Sequence, residues 1–290
     1  MGSKARILSF IWESVKEFNI KSVLDAFSGS GVVSYLFKTK GLKVYSNDFL
    51  HFAAIISKAL IENNNIILTK SDIEFLFESA PNSTKFIQET FRGLYFSDQE
   101  NEFLDNVRYN IELLEHPLKK ALALAALCRS CMKRRAREIF TFVGDRYDDG
   151  RRDLRMGLRE HFIENIKLFN EAVFDNGKDN KSSNLDIFEL DVRADLVYLD
   201  PPYYTPNSDN DYSRRYHFVE GLARNWQGLE IQKDTKTKKF KKYHTLFTSK
   251  SEVYTAFHKL FEKFSQSIIV LSYSSNSYPT KNERLFDTLW

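Results

Sequence analysis

Residues 23–50, VLDAFSGSGVVSYLFKTKGLKVYSNDFL, constrain the fold of this chain more than any other stretch. Val23 and Leu24 carry a short apolar strand, and Ser28-Gly29-Ser30-Gly31 forms a turn whose glycines admit tight backbone geometry. Val32–Lys40 reads as a helix that stops at Gly41, a suitable residue for the left-handed position after a helix. Leu42–Ser46 then alternates as a second strand. A strand, a covering helix and a second strand return to one sheet as a parallel, right-handed crossover. The expectation is an α/β fold with a doubly wound, Rossmann-like sheet. His51–Asn63 continues as an amphipathic helix.

Further along, the pattern changes. Residues 71–180 are predominantly helical by periodicity and end in the polar run 176–184, NGKDNKSSN, which reads as a loop. Strand signals return at Asp186-Ile187-Phe188, at Leu196–Leu199 and at Ser267–Tyr273. The expected organisation is a discontinuous sheet domain, residues 1–70 and 181–290, interrupted by a helical insertion at 71–180.

With 290 residues the chain is long enough to bury a sizeable core. No run of about 18 apolar residues exists, so no membrane span is expected, and MGSKARILSF lacks the apolar stretch of a secretory signal. Cys128 and Cys131 form a C-x-x-C without a second pair or nearby histidines, and their helical spacing suits two buried small side chains better than zinc. A reducing cytoplasm fits them.

The formal net charge is only +3, yet the basic residues are clustered. Arg129 to Arg159 holds ten Lys or Arg against five Asp or Glu, and Lys233 to Lys242 holds six lysines in ten residues. Each cluster alone could be a solvated face; together they point to a polyanionic partner.

Two sites carry the chemistry. The first is Asp25 to Gly31, a glycine turn at a strand's carboxyl end, followed by Asp48 at the end of the second strand, placed to accept hydrogen bonds from ribose hydroxyls. The turn is not G-x-G-x-x-G and no P-loop lysine follows, so an adenosine-bearing ligand without a pyrophosphate is expected. The second site is LVYLDPPYY, residues 196–204, an apolar strand ending in Asp200-Pro201-Pro202-Tyr203. Proline ends the strand because it lacks an N–H. The Asp200 carboxylate and the Pro201 carbonyl are two acceptors for one amino group, and Tyr203 offers a face for a planar ring. Two acceptors localise the lone pair of an aromatic amine and stabilise the positive charge that develops on nitrogen during attack. This chemistry needs no metal ion.

Asp200-Pro201-Pro202-Tyr203, together with Asp25-Ala26-Phe27-Ser28-Gly29-Ser30-Gly31, resembles the S-adenosylmethionine-dependent adenine-specific DNA methyltransferases of the DNA adenine methylase type, including those of restriction–modification systems. The resemblance implies S-adenosyl-L-methionine as cofactor, held by Asp25, Phe27, Ser28, Gly29, Gly31 and Asp48, with Asp200 bordering the same pocket. Gly2-Ser3-Lys4 is similar to the family's N-terminal element, which implies a role for Lys4 at the methionine moiety. Asp186-Ile187-Phe188 resembles the acidic-plus-aromatic pair that contacts the cofactor's adenine, which implies cofactor contacts at Asp186 and Ile187. SYSSNSYPT, Ser272 to Thr280, is a further familial stretch. The implied catalytic residues are Asp200, Pro201, Pro202 and Tyr203, acting on the N6 amine of an adenine flipped from duplex DNA. The helical insertion would carry target recognition, with DNA contacts expected at Arg134, Arg135, Arg151, Arg152, Arg214, Arg215, Lys236, Lys238 and Lys239. Implied context is a bacterial or phage-type cytoplasm and a cognate restriction endonuclease without a stable complex. Because the sequence stops at Trp290, where the family continues with a helix and a strand pair, the expectation is a weakly stable or self-associating fragment with no hairpin after Tyr278.

Rival readings remain at this point. A ribosomal RNA methyltransferase acting on adenine or guanine amines uses related motifs, but here Asp200 lies 175 positions after Asp25, leaving room for a recognition domain. Protein-glutamine methylation would favour Asn in place of Asp200, and cytosine amino methylation more often Ser. A non-catalytic nucleic-acid-binding protein would explain the basic clusters but not the Asp200 socket.

Overall fold

The computed structural model describes residues 4–144, 147–203, 211–241, 243–248 and 250–273. Its backbone divides into two compact units, each of them discontinuous in sequence. The sheet unit comprises Met1–Ser57, Asn176–Arg215 and Lys242–Trp290; the helical unit comprises Lys58–Asp175 and Tyr216–Lys241. These bounds differ from those expected: residues 58–70 and 216–241 group with the helices. The lysine-rich segment has no helical period, yet Phe240 within it is buried and bridges antiparallel to Ile231.

Among the described residues five strands build the sheet: β1 Ser22–Asp25, β2 Lys43–Asn47, β3 Lys181–Ser183, β4 Leu196–Leu199 and β5 Ile268–Leu271. Their order is β3-β2-β1-β4-β5 and every pairing is parallel. Central strands of such a sheet are covered on both faces and read as continuous apolar runs; all four residues of β4 are buried, whereas those of β5 are half-buried. The helix after β1 spans Val32–Thr39 and closes at Gly41 with φ 77°, the left-handed conformation that favours glycine. The core on one side gathers Leu24, Val197 and Leu199 with Phe247, Val253, Phe257 and Leu260.

One strand falls elsewhere than expected. Asp186-Ile187-Phe188 is a turn, and β3 lies at Lys181–Ser183 inside the run read as a loop. The Asp186 carboxylate accepts from Phe188 N at 3.0 Å, an Asx turn that bends the chain. β3 is a three-residue polar edge strand, and edges kept short and polar give no apolar signal.

The helical unit is built around Pro117–Lys133, a helix starting with proline and buried almost all round, from Ala121 to Cys128 without interruption. Cys128 and Cys131 are both free and fully buried, and burial pushes their thiols well above the ordinary range. Capping boxes start the neighbouring helices Lys70–Leu76, with Thr69 and Asp72, and Asp98–Leu113, with Ser97 and Glu100. The helix His217–Arg224 ends in two left-handed residues, Asn225 and Trp226, which return the indole onto Gly221. A Cβ at Gly221 would lie 2.3 Å from the Trp226 Nε1, so only glycine fits there. No described helix is long and apolar enough to cross a membrane.

Candidate active site

In a doubly wound sheet, ligands bind beyond the strands' carboxyl ends where the order of strands reverses. Here that point lies between β1 and β4, since β2 and β3 continue to one side of β1 and β4 and β5 to the other. Asp25 closes β1 in register with Ser46 of β2 and Tyr198 of β4, so Asp48 and Asp200 each follow their own strand two residues beyond those partners. The sheet thus gathers three acids at one edge.

The glycine turn is held from below and from the side. Gly29 and Gly31 have φ of 51° and 75°, and Gly31 N donates to Ser28 O at 2.7 Å. Ser28 N donates to Asn47 O at 2.9 Å. Asp48 accepts from Gly29 N at 2.7 Å through one oxygen and from Leu50 N at 2.8 Å through the other, so this acid fixes the shape of the turn. Beneath it runs a chain of buried hydroxyls: Ser57 Oγ donates to Ser28 Oγ at 3.1 Å, and Ser46 Oγ donates to Ser57 Oγ at 2.8 Å. Ser34 Oγ lies 3.2 Å from Ser46 and donates to Asp25 Oδ2 at 2.6 Å. The other oxygen of Asp25 is buried and has no hydrogen-bond partner. Burial raises the Asp25 carboxyl to about 7 against the Ser34 hydrogen bond, and the charges of Asp200 and Asp48 add to the rise.

At the second motif, β4 delivers Asp200 with Pro201 buried behind it. Lys4, more than 190 residues away in sequence, reaches the motif from the first short 3-10 turn, Lys4–Ile7. Its ammonium lies 3.0 Å from Asp200 Oδ1 and donates to the Tyr203 hydroxyl at 2.8 Å; Tyr203 in turn donates to Asp200 Oδ1 at 3.0 Å. Burial raises the Asp200 carboxyl above its ordinary value, and Lys4 opposes that rise. Burial works against the Lys4 ammonium too, but its bonds to Tyr203 and Asp200 outweigh this and hold its pKa above the usual lysine value. The Tyr203 ring meets Tyr273 edge-on at 4.9 Å. Tyr212 is close enough to Asp200 for burial and then that charge to raise its phenol.

The remaining residues singled out from the sequence separate into groups. Phe27 packs perpendicular to Phe247 at 5.5 Å, and Phe188 stacks on the same ring at 6.2 Å. Ile187 is buried and Asp186 half-buried in the turn after β3. Arg214 and Arg215 end the short helix Tyr212–Arg215 in the sheet unit, with Arg214 Nε 3.6 Å from Asp211. In the helical unit, Arg134 is paired with Glu100 at 3.0 Å and Arg152 with Glu164. Arg135 is buried and donates to Phe142 O at 2.8 Å, and Arg151 donates to Arg135 O at 3.1 Å. These four guanidinium groups have intramolecular partners. Lys236 is exposed, Lys239 is half-buried, and the Lys238 ammonium donates to Lys233 O. The lysine segment is pinned by Tyr95, whose hydroxyl donates to Thr237 O at 2.7 Å and also contacts His217 Nε2 at 2.9 Å. Gly2, Ser3, Tyr204 and the stretch after Tyr273, including most of SYSSNSYPT and the expected absence of a hairpin after Tyr278, lie outside the described residues. Among the described residues no cluster of His, Cys, Asp or Glu is placed to hold a metal ion.

Sequence reasoning missed the Lys4–Asp200 pair, the serine chain and the Tyr95–His217 junction. The spacing of the serines, at 28, 34, 46 and 57, carries no motif; only the strand register brings them together.

The chain is 31% identical to the Type II methyltransferase M2.HphI of Haemophilus parahaemolyticus, over 98% of this chain and 84% of that protein. It is 29% identical to the Type II methyltransferase M.FokI of Planomicrobium okeanokoites over 98% of its own length, which is 45% of that longer protein. It is 23% identical to the Type II methyltransferase M.NlaIII of Neisseria lactamica, over 95% of this chain and 83% of that protein. No solved structure matches the chain. The D12 class N6 adenine-specific DNA methyltransferase family matches residues 1–278, and with the Asp200 socket and the glycine turn at one switch point of a parallel sheet, the chain belongs to that family of enzymes.

Proposed function

We propose that the chain methylates the N6 amine of an adenine turned out of duplex DNA, using S-adenosyl-L-methionine, as the modification enzyme of a restriction–modification system. The observation that carries this reading is the half-buried Asp200 carboxylate next to Pro201 and Tyr203 at the end of β4, beside the glycine turn of β1. The type II names of its relatives support the biological context, in which a cognate endonuclease reads the same sequence without forming a stable complex.

The residues of the sheet unit fit the cofactor. A turn with positive φ at Gly29 and Gly31 permits close approach, and the partnerless buried oxygen of Asp25 is a ready acceptor for a cationic amine. Asp48 at the end of β2 is the candidate for the ribose hydroxyls, and Ile187 with Phe27 and Phe188 for the apolar walls. When bound, S-adenosyl-L-methionine supplies an electrophilic methyl group on a sulfonium.

In the reaction, Tyr203 stacks on the flipped base, an interaction worth roughly 1–3 kcal/mol. Asp200 and the Pro201 carbonyl accept hydrogen bonds from the adenine amine and stabilise the positive charge developing on nitrogen. Lys4 has a part in this: burial raises the Asp200 carboxyl, and the neighbouring ammonium opposes that rise and so favours the ionised form, the stronger acceptor. The helical unit is the proposed target-recognition element, with Lys236, Lys238 and Lys239, and Arg214 and Arg215 of the sheet unit, as phosphate contacts. Bases are unpaired at a cost of a few kcal/mol before transfer.

The test uses tritiated S-adenosyl-L-methionine and duplex DNA. Wild-type protein is expected to label adenine N6, and Asp200→Ala to lose turnover by a factor of roughly 100–1,000 while binding the cofactor normally in calorimetry. Near-normal turnover by Asp200→Ala would rule out the assigned mechanism.

A further inference from the structure

The arginines of residues 129–159 are not equivalent. Arg129 is paired with Glu138 at 2.7 Å, and Arg134, Arg135, Arg151 and Arg152 have the partners given above. Among the described residues of this segment, the side chains of Arg137, Arg155 and Arg159 make no hydrogen bond or ion pair.

Arg137 stands apart from the other two. It has φ 56° and ψ 9°, and Glu138 follows with φ 58°, two successive non-glycine residues in the left-handed region. Strain of this kind persists only where the surroundings over-determine it, and it concentrates at functional sites. Here the surroundings are explicit. Glu138 N donates to Arg135 O at 3.0 Å while its carboxylate is held by Arg129. The Arg135 guanidinium lies between two rings, 5.2 Å from the centre of Tyr95 and 4.8 Å from that of Phe142. Phe142 meets Tyr147 edge-on at 4.8 Å, and the Arg137 guanidinium carbon lies 3.9 Å over Tyr147. A continuous run of contacts therefore leads from buried Tyr95 through Arg135, Phe142 and Tyr147 to exposed Arg137. The Tyr147 ring lies against the Arg137 guanidinium, whose N–H groups make no hydrogen bond or ion pair.

A planar fork held this way suits a planar, bidentate acceptor better than a mobile lysine does. On duplex DNA the matching acceptor is the O6 and N7 edge of guanine in the major groove. We propose that Arg137 is a specificity-determining residue of the helical unit, reading one guanine of the recognition sequence. This rests on the proposed DNA methylation.

The experiment first maps the adenines that full-length wild-type protein methylates in genomic DNA, which defines the site. Duplexes with each base pair of that site changed in turn are then methylated by wild type, Arg137→Gly and Arg137→Lys. Glycine accepts the left-handed backbone without strain, so Arg137→Gly is expected to melt no lower than wild type and to bind S-adenosyl-L-methionine equally. It is expected to lose kcat/KM on the native site by roughly 10–100-fold and its preference for G·C at one position. Arg137→Lys keeps the charge and is expected to lose the same preference. Wild-type discrimination in both variants, full rescue by Arg137→Lys, or a lower melting temperature of Arg137→Gly would overturn the assignment. If wild type methylates no duplex, the proposed function itself fails, and this reading with it.

Discussion

Asp25 of the sheet unit and Arg108 of the helical unit are buried charges that are handled in opposite ways. In the sheet unit, Asp25 keeps one buried oxygen without a partner, and burial raises both Asp25 and Asp200. In the helical unit, the buried Arg108 and Asp105 are met by backbone groups. Arg108, almost fully buried, donates to Leu222 O at 2.7 Å and Ala223 O at 3.4 Å, satisfying carbonyls at the end of helix His217–Arg224. Asp105 accepts from Ile87 N at 2.9 Å and Gln88 N at 3.1 Å at the start of a short helix. His217 stays neutral, because burial lowers it to about 4 against its bond to Phe140 O. A buried charge with its partners complete holds a fold; one left incomplete is available to a ligand.

The contrast breaks most visibly if charge is removed from each side. Arg108→Met should destabilise the protein by roughly 3 kcal/mol, because carbonyls at a buried helix end lose a charged donor. Denaturant melts measure it, and a loss under about 1 kcal/mol would show that water replaces the arginine. Asp25→Asn should do the reverse. The folded-state Asp25 pKa of about 7 lies above the ordinary 3.8, so its favourable contribution is complete below 3.8 and is lost as pH rises through about 7. The variant should therefore melt higher than wild type at pH values above that range and bind S-adenosyl-L-methionine more weakly. A lower melting temperature there would mean that the carboxylate is compensated after all. Asp48→Ala sharpens the comparison within the sheet unit: with the Gly29 and Leu50 amides released, cofactor affinity should fall roughly tenfold. An unchanged dissociation constant in calorimetry would remove Asp48 from the cofactor site.

What the sequence revealed follows the range of the interactions. The β1–helix–β2 start, β4 and the glycine stop at Gly41 are local patterns, and all appear where expected. The family could be read from DPPY and the glycine turn because both are short and contiguous. β3 was hidden because Lys181–Ser183 is polar and takes its conformation from β2 rather than from its own residues. The Lys4–Asp200 pair was hidden by sequence distance. The arginine cluster could not be resolved for another reason: counting charges does not reveal which have partners within the chain, and Arg134 and Arg135 stand beside Glu100 and Tyr95, remote in sequence.

The serine chain under the glycine turn also bears on how the sheet finds its alignment. Ser46 faces inward on β2, so a slip of one residue would put Tyr45 or Asn47 in its place and turn the hydroxyl to the other face. A slipped sheet would then strand Ser34 and Ser57 in the core without their middle link, a penalty that apolar contacts, tolerant of small shifts, do not impose. The links join β1, β2 and the helices Val32–Thr39 and His51–Ser57, so the chain closes only once all four have docked. In folding terms it is a proofreading step. Ser46→Ala should leave the first collapse unchanged and slow the final approach to the native state, which stopped-flow refolding with a native-state probe would detect; equal rates for both proteins would argue that alignment is set by the apolar strands alone.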